Sequence, residues 1–161
     1  MEDQNRETRL LVISDSHGNV PRLKKIVECE TAFHYIVHCG DGAGDLFHIS
    51  LPEGISVLRV SGNVDLARGI TLERYIVEDI AGWKIFITHG DLQGAHRDYL
   101  GLIDEGRSRG CGLVLFGHTH RPYLAGKNPV LFNPGTAQHG QYGIVCLSSR
   151  GMDCLHRVME M

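Results

Sequence analysis

No stretch of this chain approaches the roughly 18 consecutive apolar residues that a membrane-spanning helix needs. Its uninterrupted apolar runs are short, Leu10-Leu11-Val12-Ile13 among the longest, so a soluble chain without membrane contact is expected. Positive charge is also scarce: 16 Lys and Arg against 19 Asp and Glu leave a formal charge of -3, with Lys24-Lys25 the one basic doublet. Adhesion to a phosphate backbone draws on a basic surface, so no stable nucleic-acid binding is expected. The cysteines (Cys29, Cys39, Cys111, Cys146 and Cys154) are odd in number and contain no C-x-x-C pair. Neither a disulfide framework nor a cysteine zinc site follows. The segment Met1 to Arg9 is polar and of mixed charge, without an apolar signal region, and a cytoplasmic location is expected. Repeats, low-complexity tracts and linkers are absent as well. The 161 residues therefore read as one domain, 1–161, with residues 1–8 as a flexible N-terminal extension.

What the chain does have is a series of short apolar runs: Leu10 to Ile13, Tyr35 to Val37, Ile55 to Val60, Lys84 to Thr88 and Leu113 to Phe116. Near-continuous Val/Ile/Leu runs of this length predict strands buried on both faces of a sheet. Between the first two, Asn19 is a candidate N-cap, Pro21 suits a first turn, and Leu23, Ile26 and Val27 recur at helical spacing. A second helical pattern spans about Ala95 to Arg109, with Tyr99, Leu102 and Ile103 on its apolar face. The last third changes character. Pro122 to Ala125, Val130 to Phe132, Tyr142 to Ser148 and Met152 to Val158, separated by Gly, Pro and Asn turns, predict an antiparallel second sheet. The fold class is therefore α/β, two packed sheets with helices on the outside.

Each of the five apolar runs ends in a polar cluster: Asp15-Ser16-His17-Gly18, Gly40-Asp41, Gly62-Asn63, His89-Gly90 and Gly117-His118-Thr119-His120. Ligands of open α/β sheets bind beyond the carboxyl ends of the strands, where these clusters would converge. Together they offer the carboxylates of Asp15 and Asp41, the amide of Asn63 and the imidazoles of His17, His89, His118 and His120. Oxygen mixed with imidazole, without thiolate, suits Mn, Fe, Ni or Zn, and manganese leads. If one carboxylate bridges, these side chains supply four ligands to each of two divalent ions and leave positions for water and substrate. Such a pair carries excess positive charge, matched to the anionic oxygens of a phosphate ester, and activates a hydroxide as nucleophile. A lone D-x-H or G-D is more often a cap or a turn. G-H-T-H is more specific, and the conjunction of all five clusters outweighs the bland reading of each.

In this order and spacing the motifs resemble the calcineurin-like metallophosphoesterases, particularly their small single-domain bacterial and archaeal phosphodiesterases. Asn133-Pro134-Gly135-Thr136 is similar to the N-P-G-S that the branch carries after the last motif. The resemblance covers nearly the whole chain and implies a four-layer αββα fold, a β-sandwich flanked by helices. It further implies that Asp15, His17, Asp41 and His120 hold one ion and Asp41, Asn63, His89 and His118 the other, with Asp41 as the bridge. On that basis Asp41, Asn63 and His89 are the candidate catalytic residues, and the expected activity is metal-dependent hydrolysis of a small phosphate-ester substrate, a phosphodiester foremost.

Three departures bear on the chemistry. Where many members of the family have G-N-H, with a histidine thought to protonate the leaving group, this chain has Gly62-Asn63-Val64-Asp65. Where the branch often has H-G-H, it has His89-Gly90-Asp91, and the arginine that often follows N-P-G-S is missing. Asp65, Asp91, Arg121 and His139 are accordingly the candidate substrate contacts. Cys39 reads as a buried small hydrophobe, and His34, His38, His48, His96 and His156 as surface or hydrogen-bonded core residues. The competing reading is a non-catalytic interaction scaffold on the same fold, as in the family's retromer subunit, whose metal site is degraded; the complete ligand set here favours an enzyme. A nuclease is disfavoured by the acidic balance. A homo-oligomer is compatible with the family's habits.

Overall fold

Alternation along the first apolar run sets the layers. Leu10 and Val12 point to one side of their strand, into a core with Ile85, Ile87, Leu113 and Leu115, while Leu11 and Ile13 point to the other, against Leu23 and Ile26. Each of these side chains is fully buried. A strand flanked on both faces in this way sits between a second sheet and a helix, which is the sandwich architecture expected.

The computed structural model describes residues 6–160. Its strands are β1 (Thr8–Ile13), β2 (Tyr35–His38), β3 (Ser56–Arg59), β4 (Tyr75–Ile80), β5 (Trp83–Thr88), β6 (Leu113–Leu115), β7 (Tyr123–Ala125), β8 (Val130–Asn133), β9 (Gln141–Ser148) and β10 (Gly151–Val158). Its helices are α1 (Val20–Cys29), α2 (Asn63–Ala67) and α3 (Leu100–Ser108). The strands form two mixed five-stranded sheets, in the orders β10-β9-β1-β2-β3 and β4-β5-β6-β8-β7. Helix α1 covers the first sheet, where the Asn19 side chain accepts from the Arg22 N–H and caps its start. Helix α3 covers the second, with Leu102 packed among Phe86, Val114 and Phe116. No helix among the described residues is long and apolar enough to cross a membrane.

Several sequence expectations are corrected. The predicted extension 1–8 falls on residues 1–5, which lie outside the described residues, and on a segment whose last residue, Thr8, already pairs with Leu147 in β1. The last third does not make a sheet of its own. β7 and β8 join the second sheet, β8 running parallel to β6, whereas β9 and β10 extend the first, β9 running antiparallel to β1. β3 lies at a sheet edge with Ser56 and Val57 exposed, so its run is not buried on both faces. β4, missed in the sequence, is the other sheet's edge; Glu78 and Asp79 interrupt its apolar pattern. The second helix starts at Leu100 rather than Ala95, because residues 91–98 are folded into turns by the Gly94 N–H to Asp91 O and Ala95 N–H to Gly90 O bonds.

What matters for the site is direction. β1, β2 and β3 are mutually parallel, as are β5, β6 and β8, so the carboxyl ends of the three strands within each set lie at one rim. All five polar clusters leave the sheets from those ends.

Candidate metal centre

The backbone at this rim is bent in a way side chains resist. Asp15, His17, Asp41, His118 and His120 all have positive φ, between 45° and 70°. Left-handed backbone at non-glycine residues costs free energy and concentrates at functional sites. The conformation is held by hydrogen bonds across the clusters: Asp15 N–H to Gly40 O at 2.9 Å, His17 N–H to Asp41 O at 3.1 Å and Gly117 N–H to His89 O at 2.9 Å. Glycine is required where the loops touch. A Cβ on Gly62 would lie 2.2 Å from Asp41 Oδ1, and one on Gly117 would lie 1.9 Å from Ser14 Oγ.

Two groups of ligand-type atoms result. Asp15 meets His17 and His120, and Asp41 meets His89 and His118, the three ligand atoms in each group lying within 4.8 Å of one another. In the first, His120 Nε2 is 3.1 Å and His17 Nε2 is 3.6 Å from Asp15 Oδ1, and the two ring nitrogens face each other at 3.2 Å. In the second, His89 Nε2 is 3.2 Å from Asp41 Oδ2 and 3.2 Å from His118 Nδ1. The groups interlock, since the backbone N–H of His118 donates to Asp15 Oδ2 at 3.1 Å. Asp15 and His89 are fully buried, while the His120 side chain is 42% exposed and marks the open side.

The seventh candidate ligand, Asn63, stands at the exposed start of α2, next to Val64, whose N–H donates to Asp41 Oδ1 at 2.9 Å.

The donors fit a cation. His89 Nδ1 lies 2.8 Å from the Cys39 carbonyl, an acceptor, so this nitrogen carries a proton and donates. A neutral His89 then turns the lone pair of Nε2 toward the Asp41 carboxylate, a repulsive pairing that either a proton or a metal ion between them relieves. Asp15 Oδ1 is buried with no aligned hydrogen-bond partner, facing only ring nitrogens. Electrostatics agree. Burial works to raise the Asp15 carboxyl, but His120, His17, His89 and Ser14 hold it well below the usual carboxylate range. The same opposition, burial against the bond and charge of His89 and the Val64 N–H, lowers Asp41. His89 is pushed down by burial but raised overall by Asp41 and Asp15.

The remaining candidates divide. Asp65 is buried, and its carboxylate is taken up by the backbone N–H groups of Asp41, Gly42 and Gly62. Asp91 does not present a free charge to substrate either, because it is ion-paired with Arg74. His139 is exposed at the end of a 3-10 turn, Ala137–His139, and Arg121 is exposed beyond G-H-T-H. Burial raises the Cys39 thiol, in keeping with an inert core residue.

The structure adds side chains around the ligands to which sequence reasoning gave no role at the site. Asn133, fully buried, donates to Gly117 O and Thr119 Oγ1 and so braces the G-H-T-H turn, while Thr136 Oγ1 donates to Asp15 O at 2.8 Å. N-P-G-T is therefore scaffolding of the site. His38 accepts the Gly40 N–H on Nδ1 and contacts Ser16 Oγ through Nε2, and Ser16 donates to Asp45. His96, which carries no motif, places its ring 5.9 Å from that of His118.

The comparisons with known proteins agree with the geometry. Residues 9–148 match the model of the calcineurin-like phosphoesterase superfamily domain. The chain is 33% identical to the probable metallophosphoesterase YsnB of Bacillus subtilis, over 79% of this chain and 73% of that protein. It is 25% identical to the phosphodiesterase YfcE of Escherichia coli O157:H7, over 80% of this chain and 78% of the relative. Among solved structures, a conserved protein of Streptococcus pneumoniae described as a predicted phosphoesterase superposes with a TM-score of 0.77 at 20% identity, covering 95% of this chain and 90% of the other.

Proposed function

The chain belongs to the calcineurin-like phosphoesterase superfamily, and from that premise we propose that its strand-end site hydrolyses phosphate esters, phosphodiesters foremost, with two divalent cations. The observation that carries this reading is the pair of interlocked Asp/His groups. Asp15, His17 and His120 would hold one ion and Asn63, His89 and His118 the other, with Asp41 shared and manganese the leading metal. Bound there, the ions supply Lewis acidity toward phosphoryl oxygens and make water acidic enough to act as nucleophile near neutral pH.

The chain's own residues do the rest. The Cys39 carbonyl fixes the His89 tautomer so that Nε2 is the free donor. Asp65 and Asn133 hold the turns that aim Asp41 and His118. Position 64 is valine, so the imidazole that would protonate a leaving oxygen is missing, and esters with good leaving groups should react fastest.

The test is to incubate the purified protein with Mn²⁺ and an aryl phosphodiester, with the aryl monoester alongside. Turnover of the diester above the monoester, abolished by a chelator and restored by metal, is the expected result. No product with Mn, Fe, Ni or Zn would overturn the reading and leave the non-catalytic scaffold.

A further inference from the structure

Beside the two Asp/His groups lies a cleft of about 460 Å³ whose walls include His96, Arg97, Asp98, Tyr99, His118 and Arg121. His118 belongs to both the cleft and the candidate metal centre, so the two share a wall. The volume falls in the range of roughly 300 to 1,000 Å³ typical of small-molecule sites.

The walls are built and fixed. The Tyr99 ring packs against Tyr123 at 4.3 Å and Phe116 at 5.3 Å between centroids, which makes it a rigid side of the cleft. The loop before α3 is tied back by Ala95 N–H to Gly90 O and Asp98 N–H to Gly94 O bonds. Arg97 folds over Gly94, where a Cβ would stand 3.0 Å from its guanidinium. On the opposite side Thr119 Oγ1 accepts from both Asn133 Nδ2 and the Arg121 N–H, which fixes the base of Arg121.

The charge is the telling feature. Among the described residues the guanidinium groups of Arg97 and Arg121 form neither a hydrogen bond nor an ion pair, unlike those of Arg74, Arg109 and Arg157. The one carboxylate in the cleft, Asp98, is engaged in accepting the Leu100 N–H at 3.0 Å. Two unpartnered guanidinium groups, both carried by residues that line one cleft, supply the donors for a carboxylate or phosphate group, which arginine binds in planar, charge-assisted fashion.

We propose that this cleft seats the second ester arm of the substrate, and that the arm carries its own anionic group, a carboxylate or a phosphate, bound by Arg97 and Arg121. The proposal rests on the phosphodiesterase reading and narrows it: the preferred substrate is a phosphodiester bearing a further negative charge on one arm. His96 stands where the cleft meets His118 and would border the arm nearest the phosphorus.

The experiment compares two diesters with the same chromogenic leaving group, 4-nitrophenyl phenyl phosphate and 4-nitrophenyl 3-carboxyphenyl phosphate, on the Mn²⁺-loaded protein. The carboxylated diester should have a kcat/KM at least tenfold higher, mainly through KM, and Arg97→Ala or Arg121→Ala should pull that ratio toward one, with Arg121→Lys intermediate. Calorimetric binding of 3-carboxyphenyl phosphate against phenyl phosphate gives a readout that needs no turnover, and the same preference and the same losses are expected. Hydrolysis of both diesters without preference, or a preference that survives both alanine substitutions, overturns the cleft assignment while the activity stands. If neither diester reacts, the phosphodiesterase reading fails, and the calorimetric preference alone decides whether the cleft binds anions.

Discussion

The Asp65 carboxylate accepts the backbone N–H of Asp41 at 2.7 Å. The same group takes the N–H of Gly42 at 2.8 Å and of Gly62 at 3.0 Å, so one buried side chain ties the G-D turn to the G-N turn. Asp65→Ala strips the acceptor from all three N–H groups. Each orphaned buried donor costs about 1–3 kcal/mol, and such losses do not sum, so a destabilisation of roughly 3 kcal/mol is expected. Metal affinity should fall by roughly 10- to 100-fold, the scale seen when outer partners of ligands are removed. Urea unfolding and metal titration check both; wild-type behaviour in each would contradict the role.

Asp41 is the residue whose carboxylate the proposed mechanism shares between ions. Asp41→Asn keeps the shape and removes the charge. Turnover of an aryl diester should drop by more than about 100-fold, comparable to the loss of one preorganised electrostatic partner, and bound metal measured by elemental analysis should fall with it. Normal turnover would refute the shared-ligand assignment.

His38 gives a pH dependence from a group outside the candidate metal-ligand set. Burial pushes its pKa down to about 4, only partly opposed by Asp65, Asp15 and Asp45. A histidine lowered from an unfolded value of 6.5 binds its proton more readily in the unfolded chain. Its contribution is therefore complete above pH 6.5 and is lost as pH falls toward 4, by roughly 3 kcal/mol at the limit. His89 and His120 are raised and act with the opposite sign, and His118 is lowered. The measurement is accordingly a difference: wild-type unfolding free energy minus that of His38→Gln should shrink between pH 7 and pH 5. A difference independent of pH would contradict a buried neutral imidazole.

The chain announced its site more clearly than its topology. Asp15, His17, Asp41, His89, His118 and His120 were legible because each sits within a few residues of an apolar run, and strand ends are local information; the structure gathers these six into its two groups. Sheet membership is not local. Val130–Asn133 and Gln141–Ser148 are near neighbours in sequence yet join different sheets, a partition decided by pairing with β6 and β1. The inward hydrogen bonding of Asp65 was illegible for a related reason. Nothing at its position in the sequence distinguishes a carboxylate turned inward onto three N–H groups from one facing a substrate. The cleft depends on a fold-back of residues 91–98 that resembled a helix start, which is why Arg97 passed unremarked and His96 was read as a surface or hydrogen-bonded core residue.

Gly62→Ala tests whether close loop contact, rather than the ligands alone, shapes the centre. The added Cβ would meet Asp41 Oδ1 at 2.2 Å and the Asp41 N at 2.8 Å, and neither is the loose end of a flexible chain. Gly62 itself has φ -87, which alanine adopts without strain, so the substitution acts through the clash and not through backbone preference. Asp41 must move, breaking its bond to Val64 N–H and its approach to His89. Expected are weakened metal binding and a loss of turnover similar to that of Asp41→Asn, although every ligand residue is still present. The destabilisation should be about 1–3 kcal/mol, the range for overpacking a filled site. Metal titration beside thermal unfolding separates the cases: a variant that binds metal as tightly as the parent would show that the Gly62 contact is incidental and that the ligands find their positions without it.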